Sequence, residues 1–328
     1  MTAQVDRLMA DYQGAVPGAC VLIIRDGNAL VRTAYGQADL EKRIATTPAT
    51  NFRLASVTKQ FTAAAVLLLA EDGRLGLEDG VRKWLPSLPQ SADAITLRHL
   101  LTHTSGLIDY EDVIPSTLER QLHDKDVLQI LETQDRTYFP PGSAYRYSNS
   151  GYALLALVVE TASAMSFATF LKTRIFEPLR MANTVAHEEG VSTVTHRAYG
   201  YSKTPSGGWE RTDQSQTSAV LGDGGIYSSI DDLALWDAAL YDERLLRRSS
   251  VEAAFKPATS TDDPQIQYGF GWRITGSSVW HSGETRGFRN VIVRYPQHRL
   301  SVVILTNRND PEPYGLARSI ARLCGAPD

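Results

Sequence analysis

The chain has 328 residues, 43% hydrophobic and 21% charged, which is enough apolar material for a sizeable packed core. Its 33 Lys and Arg against 37 Asp and Glu leave a net charge of −4, so the basic excess of a nucleic-acid binder is absent. Its two cysteines, Cys20 and Cys324, make neither a disulfide framework nor a zinc site and read as buried thiols.

Val5, Leu8, Met9 and Tyr12 stand at helical spacing, which predicts an amphipathic helix ending near Gly14 and Pro17. The first seven residues lack the basic-then-apolar order of a secretory leader, and a cytoplasmic location is expected if this is the native start. Two β-rich runs, 19–25 and 29–35, flank Asp26-Gly27-Asn28 and predict a hairpin. From Phe61 to about Glu160, apolar stretches at helical spacing alternate with Gly, Pro and Asp loops. The longest apolar run, 63–70, is far below the ~20 residues that cross a bilayer, so no membrane partner is expected. Residues 202–216 are polar and glycine-rich and read as a long loop. β-Rich patterning then returns over 279–282, 290–295 and 300–306, before a closing helix with Leu316, Ile320 and Leu323 on one face.

Strands at both ends therefore bracket a mostly helical insertion. The expected fold is α/β of the α+β kind: one antiparallel sheet built from both termini, flanked by helices, with a helical domain inserted. Residues 1–60 and 215–328 would form the sheet domain and 61–214 the insertion. Hairpins in place of βαβ crossovers, and the absence of a phosphate-loop motif, exclude a doubly wound nucleotide fold.

Three stretches carry residues suited to chemistry. Ser56-Val57-Thr58-Lys59 precedes a long apolar helical pattern, which places the serine at a helix start where the macrodipole favours a developing oxyanion. One helical turn separates Lys59 from Ser56, so its amine shares the hydroxyl's face, and a lysine serves as a base only when neutral. Tyr147-Ser148-Asn149 follows a Pro140-Pro141-Gly142 turn and falls on a connecting loop. Tyr147 offers a proton shuttle, and Asn149 offers a donor and an acceptor. His281-Ser282-Gly283 ends a strand, where the glycine lets a substrate lie against the backbone. The N–H groups of Glu284 and Ser56 would then form an oxyanion hole. Taken singly, each stretch also fits a plain structural role: an N-cap serine, a turn tripeptide, a bulge with a surface histidine.

In this order the three motifs resemble those of the serine β-lactamase and penicillin-binding-protein superfamily. The tyrosine form of the second motif is similar to the class C branch, which holds class C β-lactamases, D-alanyl-D-alanine carboxypeptidases, D-aminopeptidases and a group of carboxylesterases. Leu100-Leu101-Thr102-His103-Thr104-Ser105-Gly106-Leu107 and Gly222-Asp223-Gly224-Gly225-Ile226-Tyr227-Ser228-Ser229 also resemble family segments, as do Tyr268-Gly269-Phe270-Gly271-Trp272 and Leu305-Thr306-Asn307. The resemblance covers nearly the whole chain and implies a β-lactamase/transpeptidase-like fold with the active site in the cleft between the sheet domain and the insertion. His99 and His103 lie four apart with no third ligand evident, so no metal is expected, and the chemistry needs no cofactor.

The resemblance implies a serine hydrolase working through an acyl-enzyme on Ser56. Lys59 and Tyr147 would manage the proton as a coupled pair. Asn149, His281, Ser282, Gly283 and Glu284 would bind the small-molecule substrate. Class C β-lactamases carry a lysine where this chain has His281, and a histidine near its ordinary pKa of ~6.5 is only partly charged at neutral pH. Glu284 would repel an anionic substrate unless Arg286 or Arg289 compensates. A small ester or a peptide-like amide with a free ammonium is therefore expected ahead of a β-lactam or a D-alanyl-D-alanine peptide. A non-catalytic sensor on the same scaffold is the reading from another class. Oligomeric state is not legible, and pocket shape depends on loops 108–117 and 202–216.

Overall fold

The computed structural model describes residues 1–115 and 117–327; Ser116, in one of the loops expected to shape the pocket, lies outside the described residues. Helix α1 (Thr2–Leu8) and a 3-10 turn (Ala10–Tyr12) fall where the apolar spacing placed them. Strands β1 (Ala19–Arg25) and β2 (Asn28–Tyr35) form the expected hairpin. Its two-residue turn puts Asp26 at φ 50° and Gly27 at φ 77°. Paired positive φ values match the twist of the flanking strands, and an Asp-Gly pair adopts them at little cost.

The chain then runs through α2 (Lys59–Glu71), α3 (Leu97–Leu101), α4 (Asp124–Glu132), α5 (Asn149–Ser163) and α6 (Phe167–Leu171). After β3 (Ile226–Ser228), α7 (Ile230–Ala239) and α8 (Arg248–Phe255) come β4 (Thr259–Ser260), β5 (Gln267–Tyr268), β6 (Arg273–Thr275), β7 (Ser278–Thr285), β8 (Phe288–Tyr295) and β9 (Leu300–Thr306), closed by α9 (Tyr314–Leu323). All of these strands but β3 build one antiparallel sheet in the order β4-β5-β6-β7-β8-β9-β1-β2. Among the described residues, none between 61 and 214 joins it.

Both faces of the sheet are covered, which explains why its central strands read as unbroken apolar runs and not as alternation. Val21, Ile23, Val302 and Ile304 point to one side and pack with Val5, Met9, Ala317 and Ile320 of the terminal helices. Cys20, Leu22, Ile24, Val303 and Leu305 point to the other, into the large core shared with α2 and α5. Register follows this division: Ile23 faces Val302 and Val21 faces Ile304 across the β1–β9 seam. Both cysteines are buried, as expected.

Three expectations about elements are corrected. Residues 202–216 hold a short hairpin, Tyr201–Lys203 with Trp209–Arg211, closed by Thr204–Gly207–Gly208 backbone bonds at a left-handed Gly207. Helix α5 begins at Asn149, three residues before the apolar stretch from Tyr152, because the Ser148 hydroxyl caps it by accepting from the Gly151 N–H. On α9 the buried stripe is Ala317, Ile320, Ala321 and Cys324, whereas Leu323 is turned outward. No single helix among the described residues is long and apolar enough to cross a membrane; α5 with the residues up to Leu179 passes only as a pair bent by 76°, and α5 is largely buried.

Candidate active site

Ser56 lies on a 3-10 turn (Ala55–Thr58) that runs directly into α2. Ala55 sits just before it at φ 50°, a left-handed conformation that costs a non-glycine residue ~1 kcal/mol and persists only where its surroundings hold it. The fully buried Lys59 sends Nζ to three oxygens: Ser56 Oγ at 3.0 Å, Asn149 Oδ1 at 2.8 Å and the Asp223 carbonyl at 3.0 Å. Asn149 Oδ1 and the carbonyl only accept, whereas a hydroxyl accepts or donates. A neutral amine meets this set with two N–H bonds and a lone pair facing Ser56 Oγ–H. An ammonium meets it with three N–H bonds. The geometry thus serves the amine before and after it takes the serine proton.

Tyr147 and Asn149 are delivered by a tightly held loop. The Asn149 and Ser150 N–H groups donate to Asp109 Oδ2 at 2.6 and 3.4 Å, and the Ser148 N–H donates to His103 Nδ1 at 3.1 Å. Lys59 Nζ stands 4.8 Å from the centroid of the Tyr147 ring. The Ser56 hydroxyl, the Lys59 amine and the Tyr147 ring, from two distant stretches, are therefore brought together.

Strand β7 forms the opposite wall. Its bridge to β6 covers Ser278 to Trp280, and from His281 onward β8 alone among the described residues pairs with it, so this stretch presents a free edge. Gly283 packs directly on the serine turn: a Cβ there would lie 2.0 Å from the Leu54 carbonyl oxygen. That approach admits only glycine and sets the following N–H, that of Glu284, beside the turn that carries Ser56.

His281 departs from expectation. It is 1% exposed, neither a surface histidine nor part of a bulge. Nδ1 lies 2.6 Å from the Ser282 carbonyl and Nε2 lies 3.0 Å from Tyr268 Oη, so both ring nitrogens are engaged. Burial first, then Arg273 and Lys59, hold its pKa well below the ordinary range, so the ring is neutral where partial charge was expected. Glu284 is answered by Arg289, whose Nη2 lies 2.6 Å from its carboxylate, so its repulsion of anions is compensated.

Sequence reasoning missed four residues that the fold brings here. The Glu111 carboxylate lies beside the Asn149 side chain and within the field of Lys59; loss of surrounding water, then Asp109, raise its pKa. The Arg273 guanidinium lies 5.4 Å from the Tyr147 ring centroid, and among the described residues no carboxylate lies within ion-pair distance of it. Asp223, fully enclosed, accepts from Tyr110 Oη at 2.9 Å while its carbonyl holds Lys59. His103 stacks on Tyr147 with centroids 4.3 Å apart. Tyr268 and Trp272 beside Arg273, and the His103 segment, were the signals at hand, but only tertiary packing shows what these residues face.

Comparison with known proteins identifies the family. Residues 2–326 match the family described as Beta-lactamase. A penicillin-binding protein of Bacillus subtilis (strain 168) is 35% identical over 90% of this chain and 69% of its own length. A D-aminopeptidase of Gluconobacter oxydans (strain 621H) is 30% identical over 100% of this chain and 62% of its own length, so the chain spans about two-thirds of these relatives. Among solved structures, the octameric penicillin-binding protein homologue from Pyrococcus abyssi superposes with a TM-score of 0.86 at 27% identity, covering 99% of this chain and 76% of that one. With an antiparallel sheet from both termini and a buried lysine at the serine, the chain belongs to the beta-lactamase family.

Proposed function

We propose that this chain is a serine hydrolase that cleaves small peptide-like amides, and esters, through an acyl-enzyme on Ser56. The observation that carries the proposal is the Lys59 amine, bonded at once to Ser56 Oγ, Asn149 Oδ1 and the Asp223 carbonyl. In this reading Ser56 Oγ bonds to the substrate carbonyl carbon and its proton passes to the Lys59–Tyr147 pair. The Ser56 and Glu284 N–H groups take up the charge on the carbonyl oxygen. Collapse of the adduct breaks the bond to the leaving amine or alcohol, which leaves with the proton. A water then reverses the sequence and frees the acid. The two-part organisation, 1–60 with 215–328 and 61–214, belongs to the same proposal and is supported by the sheet strands falling outside the second span.

The charges of the cleft narrow the substrate. Glu111 beside Asn149 suits an ammonium on the acyl part, and Arg273 beside Tyr147 suits a carboxylate on the leaving part. A short peptide with a free N-terminus meets both requirements. Support also comes from the relative named as a D-aminopeptidase. A β-lactam would find no charge on His281 to hold its carboxylate, with Arg273 as the remaining partner.

The test is a panel at matched concentrations: D- and L-amino-acid p-nitroanilides, p-nitrophenyl acetate and butyrate, and nitrocefin. Highest kcat/KM on an amino-acid anilide or an ester, with a fluorophosphonate adduct on Ser56, supports the proposal. Dominant nitrocefin turnover would shift the reading to a β-lactamase, and a single burst without turnover would shift it to a sensor.

A further inference from the structure

His103 has no part in the scheme above, yet it is among the most constrained residues near it. It is 1% exposed and holds φ 58°, a left-handed conformation uncommon for histidine. Its carbonyl accepts from the Arg146 N–H at 3.0 Å and its Nδ1 accepts from the Ser148 N–H at 3.1 Å, so it grips the chain on either side of Tyr147. Its ring lies against that of Tyr147 with centroids 4.3 Å apart and planes 35° apart. Tyr268 and Tyr152 enclose it further, at 4.5 and 5.1 Å.

Because Nδ1 accepts, the ring proton of the neutral form must sit on Nε2. That nitrogen is buried, has no hydrogen-bond partner among the described residues, and is surrounded by aromatic rings. Neither nitrogen is free to exchange a proton with a substrate. We propose that His103 is a positioning residue: as a neutral ring bonded to the Ser148 N–H, it fixes the height and tilt of the Tyr147 phenol relative to Lys59 and Ser56. Burial, and the neighbouring Lys59, His281 and Arg273, all oppose its protonation. A charged ring would lose the Nδ1 acceptor and release the loop.

The inference rests on the proposed role of Tyr147, and a double-mutant cycle separates the two. His103→Asn keeps a side-chain acceptor and tolerates positive φ, but removes the stacked ring. It should fold with an unchanged far-ultraviolet signature and lower both the rate of Ser56 labelling by a fluorophosphonate and kcat on the best anilide or ester by about 10- to 100-fold, with KM within about twofold. In a Tyr147→Phe background the same substitution should change the rate of Ser56 labelling by a fluorophosphonate by less than about twofold, since the group it positions is gone. An equal loss in both backgrounds, or wild-type kcat in His103→Asn, overturns the inference. Full activity of Tyr147→Phe alone removes Tyr147 from the chemistry and the inference with it. Should labelling of Tyr147→Phe be too slow to time, the single variant decides: lowered kcat at constant KM supports the inference, and raised KM alone overturns it. If His103→Asn fails to fold, His103→Phe, which keeps a ring but not the acceptor, takes its place under the same criteria.

Discussion

The α-carbon of Gly283 faces the Leu54 carbonyl so closely that a Cβ would come within 2.0 Å of its oxygen. Two segments far apart in sequence are thus fixed to each other through bare backbone, and the width of the cleft at Ser56 follows from that contact. Gly283→Ala must push β7 off the serine turn. It should cost at least about 100-fold in kcat/KM, because sub-ångström placement of oxyanion donors carries that much, and about 1–3 kcal/mol of stability from overpacking. Anilide or ester turnover and a urea midpoint check both effects; near-normal activity would show that this contact does not set the site.

Ser56→Ala should retain the thermal midpoint and lose turnover by about 1000-fold or more. Lys59→Met should lose activity to a similar degree and also destabilise the fold, since it leaves Asn149 Oδ1 and the Asp223 carbonyl without their donor. Turnover of an activated ester and intact-mass detection of fluorophosphonate labelling give the readings.

The charge reading of the cleft separates by substrate. Glu111→Gln should raise KM about 10-fold or more for amino-acid anilides and leave N-acetylated anilides within about threefold. Arg273→Met should weaken peptides with a free C-terminus and spare their amides. Steady-state kinetics on these four substrate types would reverse the assignment if the losses followed the opposite groups.

Asp124 gives a pH signature in stability. It opens α4, accepts from the Leu221 and Gly222 N–H groups at 2.9 Å each, and burial pushes its carboxyl from 3.8 up to about 7. Between those values the folded chain binds a proton that the unfolded chain has released. The stabilisation from this group is therefore whole below about 4 and is lost as pH rises through about 7. At about 1.4 kcal/mol per pK unit the loss amounts to a few kcal/mol. Urea midpoints at pH 5 and pH 8 should differ in this sense, and Asp124→Asn should shrink the difference even though it forfeits one backbone bond. An unchanged difference in the variant would exclude Asp124 as its source.

How much of this was legible in the sequence depended on whether the cause was local. The β1–β2 hairpin was readable because β-branched runs and an Asp-Gly turn act at short range. The start of α2 at Ser56 and Lys59 was readable for the same reason. Helix α5 was placed three residues late because its cap at Ser148 is signalled by one hydroxyl and not by apolar spacing. His281 was assigned partial charge because sequence does not disclose that the fold buries its ring beside Arg273 and Lys59. Glu111 and Arg273 escaped notice altogether, since nothing in their neighbours tells that one meets Asn149 and the other meets Tyr147.

The seam of the large sheet joins residues 19–25 to residues 300–306. While a ribosome is still making this protein, the first hairpin stands alone, and an isolated hairpin is marginal in water. Its partner strand emerges only after the whole helical span and the strands that follow it have been made. Assembly must then close a contact between residues far apart in sequence, which places the protein among slow folders whose early intermediates expose sticky apolar surface. Asn290 carries that late event to the chemistry, since it bonds Arg53 on one side and Thr306 on the other, so a translation product that stops short of the final strand has no means of setting its nucleophile.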